Sequence, residues 1–285
     1  MERDMNDPNQ QMVQWTHFDA NQSAAGTQIN LLRYWAEELA KPRNAEPKRL
    51  LRYGFKIYSQ SDEDGIIQEI FRRVGTTTKT FIEFGVDTGN ECNTAKLLVE
   101  GWRGLWIEAS TPNVADIRKN FVAFLHERKL KLVENFVTAE NINALLKQAE
   151  MTGEVDLLCI DIDCNDYWVW KAIEVTNPRV VVIEYNATLC PPLSLVVPYE
   201  PTRHWDGSNY FGASLEALVR LGRAKGYRLV GCNFSGANAF FVRDNICGDR
   251  FLEPATAEEH YEPPRYFAIL LMAGHRGRPG PYQTV

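Results

Sequence analysis

A regular alternation of strand-like and helical segments in the middle of the chain constrains the fold more than any other feature of the sequence. Five short runs rich in branched and aromatic residues occur in the order TFIEFG, GLWIEA, LKLVENFV, DLLCIDI and RVVVIEY. Polar or amphipathic stretches separate these runs. Such alternation predicts parallel strands in one sheet, with helices packed on both of its faces.

Two further segments complete the α/β pattern. YFGASLEALVRLGRAKGY has the spacing of a long amphipathic helix that ends at Gly226. It is followed by YRLVGCNF and NAFFVR, and the small residues between these two runs indicate an antiparallel hairpin. The prediction is therefore a Rossmann-like α/β fold with a mostly parallel seven-stranded sheet, a C-terminal antiparallel hairpin and helices on both faces.

A helix is also predicted immediately before the first strand, over SQSDEDGIIQEIFRRVG. Ser61 or Asp62 can cap its start, acidic residues fill its first turn, arginines fill its last turn, and Gly75 ends it. Farther upstream, apolar residues recur at helical spacing only from Ile29 to Ala40. Residues 1–25 lack such periodicity and are predicted to form a flexible arm.

These boundaries predict one ligand-binding domain with additions at each end. The N-terminal extension is residues 1–56, an arm and a helix that would suit a lid. The domain itself is residues 57–250, and residues 251–285 form a C-terminal tail.

Composition excludes several classes of protein. The net charge of −6 disfavours binding to duplex nucleic acid, which requires a basic surface. No apolar run reaches the length of a membrane span, and the N-terminus lacks a signal-peptide pattern, so we expect a cytoplasmic protein. The six cysteines lack paired metal-site spacing and are expected to be reduced. The composition is compatible with either a monomer or a homo-oligomer.

The first strand runs into FIEFGVDTGN, a glycine turn that leads towards a helix. Gly85 and Gly89 allow the backbone to turn sharply and let a ligand approach main-chain N–H groups. The alternative is a tight turn that binds nothing. Asp87 stands inside the turn, where its charge would repel a pyrophosphate but suit a cationic ligand. Glu108, at the end of the second strand, is placed to accept hydrogen bonds from ribose hydroxyls.

These motifs resemble class I S-adenosylmethionine-dependent methyltransferases, and more particularly the FkbM-type and related bacterial small-molecule or glycan methyltransferases. The resemblance covers residues 57–243 and is carried by SQSDEDGII, FIEFGVDTGNECNT, GLWIEAS, DLLCIDIDCNDYWVW, VVVIEYN and NAFFVR. The turn departs from the commoner E-x-G-x-G-x-G pattern at Asp87. The resemblance implies that the protein is an enzyme with S-adenosyl-L-methionine as cofactor.

The resemblance also assigns residues to the cofactor. Glu83, Gly85 and Gly89 would form the pocket on the methionine side, with Asp87 beside them, and Glu108 would hold the ribose. Residues near Asn135 would border the adenine. Two residues at the start of the upstream helix, Gln60 and Asp64, would also face the cofactor, although Asp64 could equally be an acid that stabilises the first helical turn.

Acids follow the fourth and fifth predicted strands and should meet at one sheet edge. Asp161 and Asp163 end the fourth strand, and Glu184 ends the fifth. In a methyltransferase they would serve the reacting centre as catalytic residues, either as a base or through a metal. Asp161, Glu184 and Asn186 resemble the magnesium ligands of catechol-type O-methyltransferases, except that Tyr185 intervenes. Hydrogen bonding without a metal and a purely structural cluster are the alternatives.

His204 lies in the long segment after the fifth strand, where it could act as a general base or remain an exposed loop residue. The leading hypothesis is an O-methyltransferase that acts on a small molecule or a sugar hydroxyl. A dinucleotide-dependent oxidoreductase of the NAD type is the second hypothesis, and a non-catalytic S-adenosylmethionine-binding protein is the third.

Overall fold

A computed structural model describes residues 8–266 and 274–285. The strands are β1 Thr80–Phe84, β2 Arg103–Glu108, β3 Leu130–Glu134, β4 Gly153–Ile160, β5 Thr176–Glu184, β6 Leu195–Val196, β7 Tyr227–Cys232, β8 Asn238–Arg243 and β9 Gln283–Thr284. The α-helices are α1 Pro8–Leu39, α2 Glu63–Val74, α3 Ala95–Val99, α4 Thr111–Asn120, α5 Val122–His126, α6 Ile142–Gln148, α7 Asp166–Ala172, α8 Leu215–Ala224, α9 Asp244–Cys247 and α10 Ala257–His260.

Seven of these strands form one sheet in the order β3-β2-β1-β4-β5-β8-β7. Strands β1 to β5 pair in parallel, whereas β8 is antiparallel to both β5 and β7. All five predicted parallel strands and the hairpin are present. The predicted Rossmann-like, mostly parallel seven-stranded sheet with its C-terminal antiparallel hairpin is confirmed.

The sheet separates two hydrophobic cores because neighbouring residues of a strand point to opposite faces. Ile82 and Phe84 of β1 belong to the core that also contains Trp170. Phe81 belongs to the core on the other face, together with Trp106 of β2. Helices therefore cover both faces, as predicted.

Two helices differ in length from their predictions. α1 begins at Pro8 rather than near Ile29, and residues 1–7 of the predicted arm lie outside the described residues. Helix propensity does not require an apolar stripe, so periodicity alone missed its first half. α8 is shorter than predicted and begins at Leu215, because the side chain of Ser214 caps it by accepting a hydrogen bond from the N–H of Ala217.

The chain divides into two compact units, residues 1–46 and 47–285. The larger unit thus begins before residue 57, where the sequence suggested a domain start. It also contains the predicted tail, whose strand β9 pairs with β6 in a small antiparallel sheet. No helix among the described residues is long and apolar enough to cross a membrane.

The six cysteines are unpaired, and all except Cys190 are buried. This agrees with the expected reduced state. Cys159 and Cys232 pack within the two hydrophobic cores, as small apolar side chains do.

Candidate functional site

A cavity of about 680 Å³ opens at the carboxyl ends of the parallel strands. It lies where the strand order reverses, because the chain runs outward from β1 through β2 to β3 and then crosses back to β4 on the other side of β1. Open α/β sheets bind ligands at this switch point. The cavity is lined by most of the predicted site residues: Gln60, Glu83, Gly85, Asp87, Glu108, Asn135, Asp161, Asp163, Glu184 and His204.

The glycine turn after β1 has left-handed backbone at three residues. Gly85, Asp87 and Gly89 have φ angles of 72°, 49° and 77°. A Cβ on Gly85 would overlap the backbone carbonyl oxygen of Asp161, and a Cβ on Gly89 would meet the ring of Trp106. Gly89 does not line the cavity. Both glycines are therefore required by packing inside the protein, and only Gly85 also borders the space predicted for the cofactor.

Glu108 occupies the tip of β2 and lines the cavity while remaining only 6% exposed. Its carboxylate accepts hydrogen bonds from the N–H of Asp87 at 3.0 Å and from the N–H of Ser110 at 2.8 Å. These bonds tie the β2 tip to the glycine turn and fix the direction of the carboxylate. Its contact with ribose hydroxyls stays a prediction.

Glu83, near the end of β1, is buried against the residues that precede α3 and also lines the cavity. Its carboxylate accepts hydrogen bonds from the N–H groups of Asn93 and Thr94, at 2.8 and 3.0 Å, and from the hydroxyl of Thr94. Burial raises the pKa of Glu83 despite these bonds. The carboxylate thus binds the two N–H groups that immediately precede α3, and any contact with a ligand would be additional.

The other predicted cofactor contacts divide into two groups. Gln60 and Asn135 line the cavity. Asp64 does not: its Oδ2 accepts hydrogen bonds from the N–H groups of Ile57, Tyr58 and Ser59 at 2.7–2.9 Å. Asp64 therefore organises the loop before α2, and the prediction that it faces the cofactor is corrected.

Asp62 and Glu63 link the start of α2 to the β7–β8 hairpin. Asp62 accepts a hydrogen bond from the N–H of Phe234 at 3.0 Å. Glu63 accepts hydrogen bonds from the amides of Asn233 and Asn238, at 2.7 and 3.1 Å. Burial, reinforced by the neighbouring charge of Glu63, raises the pKa of Asp62 to about 7.

This raised pKa predicts that the protein loses stability as pH rises from about 4 to about 7. The folded state holds the Asp62 proton to higher pH than the unfolded chain does, so its advantage disappears as pH passes through the folded pKa. Asp62→Asn keeps an acceptor for the N–H of Phe234 and should reduce this pH dependence by on the order of 2 kcal/mol. Urea unfolding of both proteins at acidic and neutral pH measures the difference. Asp116→Asn, at an exposed site in α4, should keep the wild-type slope; parallel slopes for all three proteins would contradict the prediction.

Three carboxylates meet at the ends of β4 and β5. One oxygen from each of Asp161, Asp163 and Glu184 lies within 4.8 Å of the others. Burial and mutual repulsion raise the pKa of Asp161 and of Glu184 well above the ordinary range. Partial burial and the charge of Asp87 raise the pKa of Asp163 to about 6. Among the described residues, Oε2 of Glu184 is buried without a hydrogen-bond partner. The cluster is suited to hold protons or a cation.

Asn186 does not join this cluster, although it was predicted as a metal ligand with Asp161 and Glu184. Its Nδ2 donates hydrogen bonds to the backbone oxygens of Asn209 and Phe211, at 2.8 and 2.9 Å. Its Oδ1 accepts hydrogen bonds from Thr188. Asn186 is buried and does not line the cavity, so Asp163 replaces it as the third oxygen donor.

His204 lines the cavity on its β3 side, where its ring lies 4.9 Å from that of Phe136. A second histidine, His275, lines the same cavity and was missed in the sequence. Tyr266, also missed, comes from the same predicted tail. No periodicity marks these residues, because the tail reaches the cavity by returning across the fold. One backbone bond of this return joins the N–H of Asn209 to the oxygen of Arg276, at 3.0 Å.

No protein-family model and no curated protein matches the chain. Among solved structures, an O-methyltransferase from Bacillus cereus in complex with SAH is similar over 57% of this chain and 67% of its own, at 16% identity and a TM-score of 0.33. The N-terminal domain of EvdMO1 with SAH bound is similar over 75% and 94%, at 16% identity and a TM-score of 0.41. The glycopeptide N-methyltransferase MtfA complexed with SAM is similar over 65% and 94%, at 13% identity and a TM-score of 0.40. Likeness of this degree leaves the chemistry to be argued from the cavity.

Proposed function

We propose that this protein is an S-adenosyl-L-methionine-dependent methyltransferase that methylates a hydroxyl of a small molecule or glycan. One observation carries the proposal. Glu108, the acidic turn around Asp87 and the carboxylates after β4 and β5 all line a single cavity at the switch point of the sheet. Its volume of about 680 Å³ falls within the usual range for small-molecule sites.

The residues of the cavity fit this cofactor better than a dinucleotide. A pyrophosphate needs free N–H groups at the glycine turn and helix start. Here the N–H of Asp87 is bound by Glu108, and those of Asn93 and Thr94 are bound by Glu83. These carboxylates would repel phosphate, whereas they favour the sulfonium and ammonium charges of S-adenosylmethionine.

Two buried amides support a polar ligand in the same cavity. Asn165 and Asn238 line it, and the Oδ1 atom of each is buried without a hydrogen-bond partner among the described residues. An ammonium or hydroxyl group of a ligand would satisfy these acceptors.

The cofactor would supply an electrophilic methyl group, and this chain's residues would position and activate the acceptor. Glu108 would hold the ribose, and Asn135 and Phe136 would border the adenine on the β3 side. Asp161, Asp163 and Glu184 would then lie nearest the reacting atoms, beyond the methionine side. They would orient the acceptor hydroxyl, or bind an oxygen-preferring cation such as magnesium that polarises it.

Isothermal titration with S-adenosylmethionine and with NAD tests the cofactor. We expect binding of S-adenosylmethionine and none of NAD. The reverse result would favour an oxidoreductase. Binding without methyl transfer to any member of a panel of phenols and glycosides would favour a non-catalytic binding protein.

Glu108→Ala should weaken S-adenosylmethionine binding by about 1–3 kcal/mol, because two ribose hydroxyls lose a charged acceptor. Titration calorimetry measures the loss. Glu134→Ala is the matched control, since Glu134 pairs in register with Glu108 but is exposed and lies outside the cavity lining. Equal affinities for the two variants would contradict the ribose assignment.

A further inference from the structure

The β5 side of the cavity is formed by four rings, which we call the aromatic wall: Trp205, Phe211, Tyr266 and His275. His275 is at its centre. The centroid of its ring lies 4.5 Å from that of Tyr266, 5.0 Å from that of Trp205 and 5.8 Å from that of Phe211. Trp205 and Phe211 meet the imidazole edge-on, which is a favourable geometry for aromatic pairs.

Hydrogen bonds fix two residues of the aromatic wall, and one of these bonds comes from the segment that follows β5. The indole N–H of Trp205 donates to the backbone oxygen of Ser208 at 2.8 Å. Asn186, two residues after the end of β5, donates to the backbone oxygen of Phe211 at 2.9 Å. Tyr266 lines the same cavity as Glu184, and burial together with the charge of Glu184 raises the pKa of this phenol.

His275 carries a free basic nitrogen into this wall. Its Nδ1 is buried, and no described residue forms a hydrogen bond with it. Burial lowers the pKa of His275, so the imidazole is neutral at neutral pH. His204 is exposed, and its ring packs at a tilted angle against that of Phe136, which follows β3. Of these two histidines, His275 is the one that packs against Phe211 and Tyr266, the wall residues that are linked to the end of β5 through Asn186 and Glu184.

The chemistry of the cavity restricts the acceptor. Flat rings in the wall favour a flat ring in the ligand, and Asp161, Asp163 and Glu184 disfavour an anion. A neutral imidazole is a weak base, so it can deprotonate a phenol, which ionises near pH 10 as tyrosine does, far more readily than a sugar hydroxyl.

On the basis of the proposed function, we propose that the aromatic wall binds a neutral phenol and that His275 accepts its hydroxyl proton during methyl transfer. The bond between the phenolic oxygen and the methyl carbon forms as the bond between that carbon and sulfur breaks. The electron pair of the broken bond stays on sulfur, which becomes a neutral thioether. The proton moves to the imidazole and then to solvent. Trp205 is 39% exposed, so the aromatic wall is open to solvent.

Binding is measured first, with protein saturated with S-adenosylhomocysteine and titrated calorimetrically with phenol, resorcinol or methyl glucoside. We expect the two phenols to bind and the glucoside not to bind. Trp205→Ala should weaken phenol binding by about tenfold, because a stacking surface is lost, and should leave the affinity for S-adenosylhomocysteine unchanged. Binding of the glucoside instead of the phenols would overturn the proposal.

Turnover then tests the role of His275, using the tritiated methyl group of S-adenosylmethionine. His275→Gln should lower kcat for the phenol by on the order of a hundredfold and change KM far less. His126→Gln, at an exposed site at the end of α5, is the matched control and should behave as wild type. Wild-type kcat in His275→Gln, or no methylation of either phenol by wild-type protein, would overturn the proposal.

These outcomes distinguish a failure of the proposed methyltransferase function from a failure of the proposed phenol pocket. If the wild-type protein fails to bind S-adenosylhomocysteine, the proposed function fails and this inference fails with it. If it binds S-adenosylhomocysteine but not the phenols, only the phenol pocket is overturned.

Discussion

Gly85→Ala should destabilise the protein by about 3–5 kcal/mol, which is at the upper end of what single substitutions cost. The added Cβ would overlap the carbonyl oxygen of Asp161, where β1 and β4 lie side by side, and neither backbone can move without disturbing the sheet. From the sequence, Gly85 was expected to allow a sharp turn and the close approach of a ligand. In the structure, the nearest atom to a Cβ on Gly85 belongs to the protein itself, namely the carbonyl oxygen of Asp161.

Gly101→Ala is the matched control for this substitution. Gly101 also has a left-handed backbone, with φ of 88°, but a Cβ there would meet nothing within 4 Å. Gly101→Ala should destabilise the protein only by the free energy needed to hold alanine in this backbone conformation, about 1–2 kcal/mol. Urea unfolding of the two variants measures the difference. If Gly85→Ala is as stable as Gly101→Ala but cannot bind S-adenosylmethionine, the result would contradict the packing role and show that Gly85 is needed for contact with the ligand.

Asp161→Asn and Glu184→Gln should each lower turnover by about a hundredfold or more while changing cofactor affinity little. Both carboxyl groups belong to the cluster within 4.8 Å, and their raised pKa values suit them to bind the acceptor hydroxyl or exchange a proton with it as it reacts. Kinetics on a methylated acceptor and calorimetry with S-adenosylmethionine measure the two effects separately. Asp116→Asn, in the exposed face of α4, serves as the control.

A chelator distinguishes the two chemical roles of this cluster. If Asp161, Asp163 and Glu184 bind magnesium, activity should disappear with the chelator and return with added magnesium. If they act through hydrogen bonds and proton transfer, the chelator should have no effect. Full activity in both amide variants would show that the cluster is structural.

Local sequence patterns were enough to predict the sheet and the edge of it at which the candidate site lies. Strands β1 to β5 were recognisable because buried parallel strands are continuous apolar runs, and the hairpin because small residues separate two such runs. The same pattern located Glu108, Asp161 and Glu184, since a residue at the end of a parallel strand must lie at the ligand-binding edge.

The contacts of each side chain at that edge could not be predicted from the sequence and became visible in the folded structure. Asp64 and Asn186 have the residue types of ligand contacts, yet Oδ2 of Asp64 and Oδ1 of Asn186 accept hydrogen bonds from neighbouring groups of the protein, and neither residue lines the cavity. His275 reaches the cavity from a segment distant in sequence, beside Tyr266. Local patterns report how a segment folds because burial repeats along the strand or helix. Which polar atoms remain free for a ligand depends on contacts between distant segments, and these leave no periodic trace in the chain.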